Sequence, residues 1–177
     1  KGHDINPQAL TFKTGDSFYG MSQGKSNQVL IVLSDAGKSY SLSAHDLPSA
    51  RGHGVPLTGK LSCDKGSRFV DVLLEKPDTK VLLATSKGYG FMSSVSSMET
   101  KNKNGKALVN LDYGVDKLLP ALTLAGVSDF NGKLDSDSLD GNLLVMATKS
   151  GRLLVIEVSQ VPQLARGKGN KLINIVK

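Results

Sequence analysis

Tryptophan is absent, cysteine occurs once, and aromatic residues make up only 5% of the 177 residues. Each shortage removes a class of explanation. The single thiol, Cys63, cannot close an intramolecular disulfide. With no second cysteine or histidine cluster beside it, it offers no metal-ligand spacing. It reads as a small buried or half-buried apolar residue in a chain suited to a reducing cytoplasm. No run reaches the roughly 18 apolar residues of a membrane span, and the start Lys1-Gly2-His3-Asp4 lacks the apolar core of a signal peptide, so no membrane contact is expected. Few aromatics beside the basic positions argue against a platform that stacks single-stranded bases.

Catalytic patterns are missing too. The three histidines, His3, His45 and His53, are scattered among turn-like segments with no nucleophile motif nearby. Ala165-Arg166-Gly167-Lys168-Gly169 is glycine-rich but has neither the spacing of a phosphate-binding loop nor a following helix pattern. The acidic stretch Asp135-Ser136-Asp137-Ser138-Leu139-Asp140 lacks the glycine and the terminal glutamate of a calcium loop. No metal, cofactor or enzymatic activity is expected of this stretch of chain.

What is present is basic charge and glycine. Lys and Arg number 22 against 16 Asp and Glu, a formal charge of +6, which favours a polyanionic partner. Apolar residues come in short runs, Val29-Leu30-Ile31-Val32-Leu33, Val81-Leu82-Leu83-Ala84 and Leu143-Leu144-Val145-Met146-Ala147. These are strand length and too short for an amphipathic helix. Each leads into a glycine turn, Ser34-Asp35-Ala36-Gly37-Lys38, Thr85-Ser86-Lys87-Gly88-Tyr89 or Thr148-Lys149-Ser150-Gly151-Arg152, and then into a second short run. The pattern predicts three hairpins of one design.

The repetition continues about 15 to 17 residues past each turn glycine, where a second glycine with basic neighbours appears. These loops read Ala50-Arg51-Gly52-His53-Gly54, Lys101-Asn102-Lys103-Asn104-Gly105-Lys106 and Ala165-Arg166-Gly167-Lys168-Gly169, each followed by another short stretch. The unit is roughly 50 to 60 residues, the scale of a propeller blade. The expected fold is all-β and propeller-like, built of repeated antiparallel blades of which this chain holds an incomplete set. The expected division is the end of one blade at 1–20, then repeats over about 21–76, 77–125 and 142–177, with an acidic surface insertion at 127–142. Lys1-Gly2-His3 reads as the loop of a preceding unit and Ala9-Leu10-Thr11-Phe12 as its closing strand.

In a radially repeated fold, equivalent positions return to one face, so a basic residue recurring in phase becomes a basic track. Lys38, Lys87 and Arg152 flank the turn glycines, while Arg51, Lys103, Lys106, Arg166, Lys168 and Lys171 populate the later loops. These nine are the candidate contacts to the phosphates of double-stranded DNA. Tyr40 and Tyr89, at similar phase after their turn glycines, and Phe91 are expected to fill the core.

Taken in order, Lys1-Gly2-His3-Asp4-Ile5, Thr14-Gly15-Asp16-Ser17-Phe18, Gly24-Lys25-Ser26-Asn27-Gln28, Leu47-Pro48-Ser49-Ala50-Arg51-Gly52, Pro56-Leu57-Thr58-Gly59-Lys60-Leu61, Gly88-Tyr89-Gly90-Phe91 and Gly167-Lys168-Gly169-Asn170-Lys171 resemble the C-terminal domain of the DNA-cleaving A subunit of bacterial topoisomerase IV. The resemblance spans the chain apart from the acidic insertion. Related gyrase domains carry the box Gln-Arg-Arg-Gly-Gly-Lys-Gly. Here Gln163-Leu164-Ala165-Arg166-Gly167-Lys168-Gly169 keeps the glutamine and the final Gly-Lys-Gly but not the centre, which argues against gyrase-like wrapping.

The resemblance implies a β-pinwheel, a propeller-shaped ring whose blades exchange strands with their neighbours and whose basic rim bends duplex DNA for strand passage in decatenation and supercoil relaxation. It places the catalytic tyrosine, Mg2+ and ATP elsewhere in the parent enzyme. The implied partners are duplex DNA, the remainder of the topoisomerase IV A subunit, through it the B subunit, and chromosome-organising proteins. The implied location is cytoplasmic and nucleoid-associated. The competing reading is a propeller-like module whose rim binds an acidic protein.

Overall fold

The computed structural model describes residues 11–48, 54–112, 114–124 and 141–175. The readings of Lys1–Leu10, of the loop around Arg51 and of most of the acidic insertion lie outside them. The elements in order are β1 (Val29–Ser34), β2 (Lys38–Ser43), β3 (Phe69–Leu73), β4 (Lys80–Ala84), β5 (Tyr89–Ser94), a single helical turn α1 (Val95–Met98), β6 (Lys106–Ala107), β7 (Leu122–Thr123), β8 (Leu143–Ala147), β9 (Leu153–Glu157) and β10 (Asn170–Lys171).

The three hairpins form where the apolar runs and turn glycines predict them. β1–β2, β4–β5 and β8–β9 are each antiparallel in unbroken register. Each is closed by the same bond, Gly37 N–H to Ser34 O at 3.0 Å, Gly88 N–H to Thr85 O at 2.9 Å and Gly151 N–H to Thr148 O at 3.0 Å. All three glycines have positive φ, at 76°, 79° and 82°, where a Cβ is penalised. The far ends match as well. Ala44, Val95 and Val158 each begin a short helical turn and donate N–H back across the hairpin, to Gln28 O, Thr79 O and Asn142 O.

Closure of the sheets comes from other repeats. The first sheet has the order β3-β1-β2-β6 and the second β10-β5-β4-β7, while β8–β9 stands as a pair among the described residues. β6 lies downstream of the β4–β5 hairpin yet pairs with β2, placing Lys106 opposite Ser39 and Ala107 opposite Lys38. β10 likewise lies downstream of β8–β9 and pairs with β5, placing Lys171 opposite Tyr89. Each of these two hairpins thus receives its last strand from the following repeat, the exchange that defines a pinwheel.

The period-two alternation of the strands distributes one hairpin over two cores. Ile31 and Leu33 face the second sheet and pack with Val81, Leu83, Phe91, Val95, Met98, Leu108 and Leu118. Leu30 and Val32 face the other way, with Tyr40 and Leu61. In β4, Leu82 turns from its neighbours toward Met92, Leu144, Val158, Val161 and Leu172. Strands buried on both faces require apolar residues at successive positions, which is why the runs are continuous rather than alternating. Burying each such side chain contributes about 1.5–3 kcal/mol.

Candidate nucleic-acid interface

The site is built on the turn ends of the sheets, where two repeats meet. Gly37 O accepts N–H bonds from Leu108 and Val109, and Gly88 O accepts the equivalent pair from Leu172 and Ile173. A Cβ at Gly37 would lie 2.4 Å from Val109 O, and one at Gly88 2.4 Å from Ile173 O. The turn glycine therefore does more than allow the turn. It lets the following repeat's chain lie against it, carrying that repeat's basic loop to the turn. The loop glycines Gly105 and Gly169, at φ 77° and 74°, pack the same way, on the Tyr40 ring and on the Gly90–Phe91 backbone and ring.

This arrangement gathers the predicted cations unevenly. Lys168 and Lys171 converge on Tyr89, with ammonium groups 4.6 Å and 5.8 Å from its ring centroid, within the range of cation–π attraction. Lys87, in the same turn, is half-buried, and its backbone N–H donates to Asp116 Oδ1 at 3.0 Å. Lys38 pairs with Asp64 at 2.8 Å. Lys106 is committed to structure, donating from Nζ to Ser97 O at 2.7 Å. Lys103, Arg152 and Arg166 are exposed on loops. Arg51 lies outside the described residues. The box glutamine, Gln163, accepts a bond from Lys80 Nζ at 3.2 Å and bridges Met92, which ties the third basic loop to the second sheet.

Two expectations about aromatics divide. Tyr40 and Phe91 are fully buried as core residues, and Tyr40 meets Phe69 edge-on at 5.5 Å. Burial pushes the Tyr40 phenol up to about 12, with the nearby Cys63 thiol adding to the shift. Tyr89 does not join them. It follows its turn glycine directly, at the position Lys38 holds in the first sheet, and lies half-buried beneath the two lysines. Cys63 is half-buried, and burial is the first cause that pushes its thiol up, which disfavours the reactive thiolate.

The structure also brings out a basic pair that the sequence pattern does not reveal. Asp35 N–H donates to Arg68 O at 2.9 Å and Ser86 N–H to Lys117 O at 2.8 Å. In return Arg68 N–H reaches Asp35 Oδ1 and Lys117 N–H reaches Ser86 Oγ. Arg68 and Lys117 therefore hold one position in successive sheets, both exposed, beside the turns that carry Lys38 and Lys87. Their spacings from the turn glycines differ, which hides the correspondence. Lys117 Nζ additionally pairs with Asp35 Oδ2 at 2.9 Å. Burial raises the Asp35 carboxyl, but the Arg68 amide and the Lys117 ammonium outweigh it and hold the group below its ordinary range.

Strand exchange, repeated turns and a basic loop closing each sheet are features of a known architecture. The family model for the DNA gyrase C-terminal domain, a beta-propeller, matches residues 28–64, 79–124 and 142–177. The chain belongs to that family. Within it, the chain is 40% identical over 175 residues to the A subunit of DNA topoisomerase 4 from Escherichia coli strain K12, covering 99% of this chain and 21% of that protein. It is 42% identical over 175 residues to the corresponding protein of Pseudomonas aeruginosa, covering 99% of this chain and 22% of that one. The chain thus spans about a fifth of the length of these relatives. The solved E. coli ParC C-terminal domain superposes with a TM-score of 0.83 at 40% identity, covering 99% of this chain and 66% of that one. A DNA gyrase A C-terminal domain, at 19% identity, shares the fold with a TM-score of 0.67 over 94% of this chain and 53% of that one. No helix among the described residues is long and apolar enough to cross a membrane.

Proposed function

We propose that this domain binds duplex DNA through its phosphates and presents a bent segment to the cleavage core of a type IIA topoisomerase, serving decatenation and supercoil relaxation without itself supplying a catalytic group. The supporting observation is the recurrence of cations at the turn ends, Lys38 with Arg68 on the first sheet and Lys87 with Lys117, Lys168 and Lys171 on the second. Positive charge repeated from sheet to sheet suits a polyanion whose charges repeat along a line. On this reading Arg51, Lys103, Arg152 and Arg166 extend the track, and Lys106 contributes least because its side chain is half-buried and its ammonium is spent on a main-chain carbonyl of its own fold. The rest of the topoisomerase A subunit, and through it the B subunit, are the physical partners, with Mg2+ and ATP used there, in the cytoplasm at the nucleoid.

The test is the affinity of the 177-residue chain for a mixed-sequence duplex of about 30 base pairs across a salt series. The expected result is log K falling linearly with log salt, by about 0.9 per phosphate neutralised, with little dependence on sequence. No binding at low salt, or binding insensitive to salt, overturns the proposal.

A further inference from the structure

Two of the rim lysines are already occupied, and by the same device. Asp64 and Asp112 open equivalent turns. Ser67 N–H bonds Asp64 O at 3.0 Å and Val115 N–H bonds Asp112 O at 3.3 Å, with Gly66 and Gly114 at φ 82° and 78°. From these turns Asp64 Oδ1 reaches Lys38 Nζ at 2.8 Å and Asp112 Oδ1 reaches Lys168 Nζ at 2.9 Å. The first lysine belongs to the same repeat as its aspartate and the second to the next repeat. Both nevertheless end beside the turn of a hairpin, Lys38 following Gly37 and Lys168 above Tyr89, which follows Gly88.

These carboxylates differ from the buried ones nearby. Asp116 Oδ1 accepts from Ser86 Oγ, Lys87 N–H and Lys117 N–H, and Asp35 is similarly spent on holding Arg68 and Lys117. Those groups build the turns. Asp64 and Asp112 have side chains 46% and 53% exposed, and exposed pairs of this kind add little to stability. What an exposed, hydrogen-bonded carboxylate does at a lysine is occupy the place a phosphate oxygen would take, with the same charge sign and the same bond length.

Resting on the DNA-binding reading above, we infer that Asp64 and Asp112 are built-in competitors for phosphate that set the affinity of the rim for DNA. A phosphate that captures Lys38 or Lys168 must first displace the carboxylate and is then left beside an unpaired negative charge. The net gain per contact is small, and the DNA segment is held loosely enough to be handed on. Removing the carboxylate charge leaves the lysine in place and free to pair.

The experiment measures Kd and salt slope for duplex DNA with the full chain, unaltered and as D64N, D112N, D64N/D112N, K168Q and K168Q/D112N. The comparator is D78N, whose exposed aspartate lies in the turn at the opposite end of β4 from Gly88. D64N and D112N are each expected to tighten binding by about 3- to 10-fold, more than D78N does, and to steepen the slope by up to about 0.9. The gain from D112N is expected to disappear in the K168Q background. Gains no larger than that of D78N, or a D112N gain that survives in K168Q, overturn the inference while leaving DNA binding intact. Failure of the unaltered chain to bind at low salt overturns the DNA-binding reading, and this inference with it. Circular dichroism melts, expected to be unchanged, separate these outcomes from misfolding.

Discussion

The β4–β5 hairpin and the β8–β9 hairpin begin from nearly the same instructions and end in different states. Both have a short apolar run, a turn glycine at positive φ, a second run and a helical turn whose first residue bonds back across the hairpin. In β4–β5, flanked by β7 and β10, Val81, Leu83 and Phe91 are wholly buried. In β8–β9, Val145 is 59% and Leu153 67% exposed. Gly88 presses against Ile173 O, whereas no described residue comes within 4 Å of a Cβ at Gly151. The difference teaches that local sequence makes the hairpin, while flanking strands, β7 and β10 for β4–β5, make it part of a core.

The comparison can be broken most forcefully by truncation. Phe91→Ala is expected to cost about 3–5 kcal/mol in chemical denaturation, whereas Val145→Ala should stay below about 1 kcal/mol. Equal losses would mean that the two hairpins are equally embedded. Next in size are the glycines. Gly88→Ala and Gly37→Ala combine an unfavourable φ with a clash against backbone and should each cost about 3 kcal/mol or more. Gly151→Ala meets only the conformational penalty of roughly 1–2 kcal/mol. Melting curves of the three variants decide this, and a Gly151→Ala loss matching the others would refute the role assigned to strand exchange.

Smaller effects come from two buried ionisable groups of the first sheet. With its folded value near 12 and an unfolded value of about 10, Tyr40 stabilises fully below about pH 10, and the stabilisation is lost as pH rises toward 12. Tyr40→Phe should flatten that alkaline decline. Asp35 has the opposite sign. Its depressed folded value means its stabilisation is complete above about pH 4 and is lost as pH falls through the folded value, so Asp35→Asn should flatten the acid limb. The corresponding turn of β8–β9 uses Thr148, whose Oγ1 accepts from Arg152 N–H at 3.1 Å, and its Thr148→Val variant should leave both limbs unchanged. Least of all, Lys106→Gln should alter DNA affinity less than Lys171→Gln. Lys106 is bonded to Ser97 O, whereas Lys171 is exposed over Tyr89.

Much of this molecule is local, and the local part is legible in the chain. Hairpins, turn glycines and the recurrence of basic loops follow from strand-length apolar runs and from the φ only glycine takes easily, features written within a few neighbouring residues. The same pattern groups Tyr40 with Tyr89, because both follow a turn glycine. Tyr40 lies three residues past its glycine, as the buried Phe91 does past Gly88, whereas Tyr89 lies one past and is the first residue of β5. Offsets of one and three share a face, so distance from the turn, not alternation, separates the two tyrosines. Arg68 and Lys117 escape it because their equivalence is one of hydrogen bonding, not of sequence spacing.

The sequence by itself determined that this chain forms repeated antiparallel hairpins with basic loops in phase. Only the tertiary structure decided that β6 and β10 close the sheets of preceding repeats, that Tyr89 carries two lysines, and that Lys38 and Lys168 are held by aspartates while Lys106 is spent on a carbonyl. The physical reason is range. A turn is fixed by torsions of adjacent residues, but a strand's partner and a lysine's counter-charge are chosen among groups far along the chain, by packing that no short window of sequence contains.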